Sequence, residues 1–142
     1  MKFKMLLLLC CTGFLFSCDK DRNDSMYDYL QGTWQLVRVG ADVNGNQLME
    51  TSELVDLPDT AAISTVFNGD GTGYGGLNIS SFSLNARFTW VTDEPKQRVT
   101  IKNEDLGEYT AAFDATDYNS FTFTTDDLDI PGGRVWLVYV RQ

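Results

Sequence analysis

From Thr33 onward, short runs in which apolar and polar residues alternate are cut at close intervals by turn formers. A period of two puts successive side chains on opposite faces of an extended backbone, so each run has one apolar and one wet face. Phe88 and Trp90 alternate with Arg87 and Thr89, Tyr109, Ala111 and Phe113 with Thr110 and Ala112, and Phe121 and Phe123 with Thr122. The runs predict strands at Thr33–Val39, Ala62–Phe67, Gly73–Asn78, Arg87–Thr92, Arg98–Lys102, Glu108–Phe113, Ser120–Thr125 and Arg134–Val140. The later ones are separated by "DEPKQ", "NEDLG", "DATDYN" and "DDLDIPGG", all rich in residues that favour turns. Eight short strands at this spacing specify an all-β antiparallel sandwich or barrel. A helical signal is confined to Ser25–Leu30, one turn with Asp24 or Ser25 placed to cap it. Residues 25–142 are then one domain.

The chain opens differently. Lys2 and Lys4 precede an apolar run from Met5 to Phe16 that is too short to span a bilayer comfortably and sits where a signal peptide would. The run ends in Leu15-Phe16-Ser17-Cys18, followed at once by "DKDRND". These residues resemble the lipobox of bacterial lipoproteins, although Phe16 is bulkier than usual at its position. The resemblance implies a signal peptide over residues 1–17, several acyl chains such as palmitate on Cys18, and an acidic tether over 18–24. It implies an outer-membrane lipoprotein in the envelope of a Gram-negative bacterium, periplasmic or surface-exposed. The acidic patch resembles surface-export signals of some such lipoproteins and reads equally well as a solvated tether.

Removal of the leader discards Cys10 and Cys11, which leaves no disulfide framework and no thiolate metal site. It also discards Lys2 and Lys4, leaving 9 of the 11 basic residues against 20 acidic ones, a formal charge of −11. Such a surface repels nucleic acid and anionic lipid headgroups. The chain has no histidine, which removes Ser-His-Asp and Cys-His nucleophile systems and nearly all zinc sites. No enzymatic activity, cofactor or metal is expected. "NGDGTGYGG" at 68–76 has neither the helix and lysine of a phosphate loop nor the carboxylates of a calcium loop, and reads as a hairpin turn. Asp126-Asp127-Leu128-Asp129 is the densest acidic cluster and reads as a solvated loop in preference to a calcium site. Asp24-Ser25-Met26 and Asp59-Thr60-Ala61 resemble the acceptor of a bacterial O-glycosylation system, while Asn78-Ile79-Ser80 matches a eukaryotic N-glycosylation signal.

Leu30-Gln31-Gly32-Thr33-Trp34-Gln35-Leu36-Val37 resembles the opening of lipocalin-like proteins, with Gly32 and Trp34 filling their Gly-x-Trp pattern. "FNGDGTG" at 67–73 and Phe88-Thr89-Trp90 look like the small lipocalin-like domains of bacterial lipoproteins. The resemblance runs from about Leu30 to Arg141. It implies an eight-stranded up-and-down barrel closed at one end by the N-terminal turn, with Arg141 packed over Trp34. Arg134 stands too early in its strand for that role. The chain is shorter than most lipocalins and lacks their C-terminal helix and disulfide. Phe88, Trp90, Tyr109, Phe113, Phe121 and Phe123 form the inward set with Trp34, facing a ligand or filling the barrel themselves. Three roles follow: a binder of a small apolar ligand or an envelope protein, an accessory subunit with a solid barrel, or a carbohydrate-binding module using exposed rings such as Tyr74 or Trp136.

Overall fold

The computed structural model describes residues 25–79, 82–105, 107–128 and 133–142. The expected leader, Cys18 and the tether lie outside them, as do Ser80 and Asp129.

The chain enters through α1 (Met26–Leu30). The Ser25 hydroxyl accepts the Asp28 N–H at 3.1 Å, which caps the turn, and Met26 and Leu30 bury the face one turn apart. Five residues are too few to form a helix alone. The turn is held from outside: the Met26 and Tyr27 N–H groups each donate to the Glu94 carboxylate at 3.0 Å.

The strands are β1 (Gly32–Ala41), β2 (Leu54–Asp56), β3 (Ala61–Phe67), β4 (Thr72–Ile79), β5 (Phe82–Asp93), β6 (Arg98–Asn103), β7 (Gly107–Asp117), β8 (Ser120–Thr125) and β9 (Val135–Arg141). Each of β3 to β8 pairs antiparallel with the next, and β1 pairs with both β3 and β9, which closes an eight-stranded up-and-down barrel. A register shift between Leu36 and Arg38 bends β1 as it turns from one neighbour to the other.

The expected strands are present, with four main differences. β7 runs on to Asp117 and does not end at Phe113, its ladder with β8 continuing through Asp114 and Ala115. β5 begins at Phe82 and not Arg87, because its ladder with β4 continues through Ala86, Asn85 and Ser83 and backbone pairing extends the strand past its apolar alternation. β9 begins at Val135, which leaves Arg134 in the preceding turn. β2 was not expected: it pairs Leu54, Val55 and Asp56 with Gly40, Val39 and Arg38, a ninth strand outside the closed barrel.

Side-chain parity around the barrel follows the registers. Trp34 and Leu36 (β1), Phe67 (β3), Trp90 (β5), Val99 and Ile101 (β6), Ala111 and Phe113 (β7), Phe121 and Phe123 (β8) and Tyr139 (β9) are buried in one core. Parts of the outer wall are buried too. Thr122 pairs with Val138 and Thr124 with Trp136 on the opposite parity, yet Thr122, Trp136 and Val138 are only 5%, 3% and 6% exposed. Trp136 is therefore not the exposed ring that the carbohydrate reading needs. Gly40 stands opposite it with no side chain, and the connection from β1 to β3 runs past this wall, its Met49 and Leu54 bordering the same groove as Thr122 and Val138.

Candidate functional site

The barrel has two unlike ends. α1 and the turns β3–β4, β5–β6 and β7–β8 gather at one, where the indole of Trp34 is wholly buried. Its Nε1 donates to the Leu30 carbonyl at 2.7 Å, which ties the strand back to α1. The Arg141 guanidinium lies 4.2 Å from the centroid of that ring and donates to the carbonyls of Tyr29 (2.8 Å) and Gln31 (3.1 Å). One cation thus serves a π face and two helix-end acceptors. Gly32 has φ +125°, and a Cβ there would meet an Arg141 nitrogen at 3.1 Å. Gly32, Trp34 and Arg141 are brought together as one plug. The Tyr29 hydroxyl donates to the Asp117 carbonyl and lies 2.9 Å from that of Ser120, stitching α1 to the β7–β8 turn; burial pushes this hydroxyl's pKa up.

Behind the plug the interior is ring on ring. Trp34 meets Phe121 edge-on at 4.6 Å, Phe121 stacks on Tyr139 at 4.9 Å, and Phe67 meets Trp90 edge-on at 5.2 Å. Of the six rings expected inside, Trp90, Phe113, Phe121 and Phe123 are buried in this packing. Phe88 is half-buried beside Phe67, where Gly73 makes room: a Cβ at Gly73 would lie 2.4 Å from the Phe88 ring.

Tyr109 stands elsewhere, toward the other end. There Val39, Leu57, Ile63, Tyr109 and Leu137 are half-buried and packed on the core. Val39 is opposite Leu137 in the β1–β9 ladder, Ile63 is opposite Leu36, and Tyr109 is opposite Ile101. They form an apolar rim above a floor that includes Tyr139. Burial raises the Tyr109 hydroxyl pKa, and burial raises that of Tyr139 further although Thr65 hydrogen-bonds it. Both phenols stay neutral through the physiological range. The side chains named here present apolar surface and two neutral hydroxyls.

A second concavity lies on the outer wall. A cleft of about 870 Å³ runs across β4, β5 and the end of β6, with Tyr74, Arg87, Thr89 and Lys102 on the parity opposite to the core. Tyr74 is 44% exposed there. The β5–β6 ladder stops at Thr89–Lys102, and beyond it Asn103 bridges the gap by donating to the Arg87 carbonyl at 2.6 Å.

In the two acidic loops singled out in the sequence, Asp70, Asp126 and Asp127 use their carboxylates internally. Asp70 accepts the N–H (2.9 Å) and hydroxyl (2.6 Å) of Thr72, which lowers its pKa, and Gly71 turns the β3–β4 hairpin at φ +81°. "NGDGTG" is a turn. Asp126 takes a two-pronged bond from Arg134 at 2.7 and 2.8 Å, which lowers its pKa, and Asp127 accepts the Thr110 N–H at 2.8 Å. Among the described residues, no three His, Cys, Asp or Glu side chains converge on a metal position.

No known protein family matches the chain, and no characterised protein matches it in sequence. Solved structures do. A lipocalin-like protein from Bacteroides uniformis ATCC 8492 aligns over 80% of this chain and 99% of its own, with TM-score 0.56 and 11% identity. An uncharacterized protein from Bacteroides eggerthii DSM 20697 aligns over the same shares with the same TM-score and identity. The fold is thus a lipocalin-like barrel, a class defined by shape and not by shared residues. Bovine odorant binding protein, in a deswapped triple mutant, also aligns over 80% of this chain and 74% of its own, at TM-score 0.44 and 16% identity.

Proposed function

We propose that this protein is a lipid-anchored envelope protein, held to the membrane through acylated Cys18, that binds a small apolar ligand without transforming it. The observation that carries the reading is the half-buried rim of Val39, Leu57, Ile63, Tyr109 and Leu137, which sits opposite the end plugged by Trp34 and Arg141. Half-buried apolar side chains around neutral hydroxyls suit a ligand that is mostly hydrocarbon or aromatic ring with few polar groups. The solid aromatic floor limits how deep it can go, so the ligand is small and sits near the rim. The −11 charge of the processed chain and its lack of histidine agree with a non-catalytic role away from nucleic acid. The membrane to which Cys18 belongs is the outer membrane of a Gram-negative cell, periplasmic or outward face.

Native mass spectrometry of the full chain purified from its producing cells tests this. A small molecule retained by the native chain and lost from Leu137→Arg supports it. The mass of the anchored polypeptide alone in both, with full folding, refutes ligand binding.

A second reading, an accessory subunit with a solid barrel, is favoured by one observation. Val43, Leu48, Met49 and Val55 are 77%, 65%, 47% and 63% exposed, all on the connection between β1 and β3. Four exposed apolar residues on one segment suit a protein partner. Of the two rings named for the carbohydrate reading, Tyr74 is exposed, in the outer cleft, and Trp136 is not.

A further inference from the structure

We propose that the connection after β1 is a calcium site, formed by Asp42, Asn44, Asn46, the Leu48 carbonyl and Glu53. A calcium loop of twelve residues supplies oxygens from its first, third and fifth side chains, from the seventh carbonyl, and from a glutamate at the twelfth position; the sixth is glycine because the backbone must turn through positive φ. Counting from Asp42 puts Asn44, Asn46, Leu48 and Glu53 at those places, with Glu50 at the ninth, which usually acts through water. Gln47 occupies the glycine place. It nevertheless has φ +63°, one of two non-glycine residues with positive φ among those described.

The second observation is independent of the spacing. Glu53 places Oε1 against the loop's start, accepting the N–H groups of Val43 (3.1 Å) and Asn44 (3.4 Å). The other oxygen of that carboxylate, Oε2, is sealed from solvent and has no hydrogen-bond partner, alone in this among the described side chains. A buried carboxylate oxygen with no donor is costly, and a cation removes that cost. Asp42 is also only 4% exposed, its two oxygens accepting the N–H groups of Gly45 and Gln47 at 2.8 Å each.

Arg134 is paired with Asp126, and its one hydrogen bond to the loop goes to the Gln47 carbonyl, 3.4 Å away. Its attraction to Asp42 is the least of the influences on it and leaves Glu53 without a cation among the described residues. All the donors are hard oxygens, which selects calcium over softer metals. Two carboxylates are too few for tight binding, so the affinity falls in the range of extracellular modules, on the order of 0.1–1 mM. This reading departs from the expectation that the chain takes no metal.

The test is a calcium chloride titration of the full chain, purified in detergent and stripped by chelator, read by calorimetry and by melting temperature. The expected result is saturable binding of one ion and a melting point raised by about 5 °C or more at 10 mM calcium. Glu53→Gln should weaken binding at least tenfold, while Asp70→Asn, in the turn at the other end of the barrel, leaves it unchanged. Absence of saturable binding by the unmodified chain overturns the proposal, whatever the variants do. So does a melting shift that magnesium reproduces in full and Glu53→Gln retains, which would be general screening of an acidic protein.

Discussion

Replacing Trp34 by alanine removes the largest side chain of the plug, and the structure gives the size of the loss. The indole is wholly buried, lies against Tyr29, Phe121 and the Arg141 guanidinium, and donates to the Leu30 carbonyl. Truncating a large buried aromatic costs about 3–5 kcal/mol, from lost burial and from the cavity left behind. Arg141→Ala is cheaper. Its stacking contributes about 0.5–1 kcal/mol at a site open to solvent, and its two bonds to helix-end carbonyls add about 1 kcal/mol each. The variants are not independent, because each side chain covers the other. The double variant should destabilise by about 0.5–1 kcal/mol less than the two singles summed. Urea denaturation of the four proteins, with m-values compared so that changes in the unfolded state are seen, measures this. Strict additivity would mean that guanidinium and indole do not interact, and the account of barrel closure would be wrong.

Gly71→Val should destabilise by about 1 kcal/mol or more, since a β-branched residue is forced to φ +81° in the hairpin; an unchanged melting point would remove the turn argument. Cys18→Ala should leave the leader uncleaved or free the protein from membranes, and unchanged processing and fractionation would end the lipoprotein proposal. Burial raises Tyr109 and Tyr139 above the 10.0 of an exposed tyrosine, so the unfolded chain sheds these protons first. Their contribution is complete below pH 10 and is lost as the pH rises above it. Denaturation at pH 9 and pH 11 should show that loss, and Tyr139→Phe should show less of it.

Much of the fold could be read from alternation, because a strand with one wet face writes its period into the sequence. Val99, Thr100, Ile101 and Lys102 in β6 are a plain case. Where both faces are covered the period disappears. Val135-Trp136-Leu137-Val138-Tyr139-Val140 is apolar throughout, and that continuous run was the available sign that Trp136 would be buried from outside. β2 carries no such signal: its three residues join the sheet through backbone bonds to β1.

The plug was legible because Gly32, Trp34 and Arg141 carry it in a recognisable pattern. The rim was not. Val39, Leu57, Ile63 and Leu137 are ordinary aliphatic residues, and only closure of the barrel separates them from those beneath. The twelve-residue loop was obscured at one position, where Gln47 holds the turn usually given to glycine.

The apolar rim is the central claim, and a fluorescent probe with an aromatic body addresses it directly. In a titration with 1-anilinonaphthalene-8-sulfonate, the native chain should show saturable enhancement. Leu137→Arg, at the rim, should abolish it without unfolding the barrel, and Val91→Arg, on an exposed outer position, should leave it unchanged. Equal enhancement in all three proteins, or none in the native chain, would contradict binding at the rim.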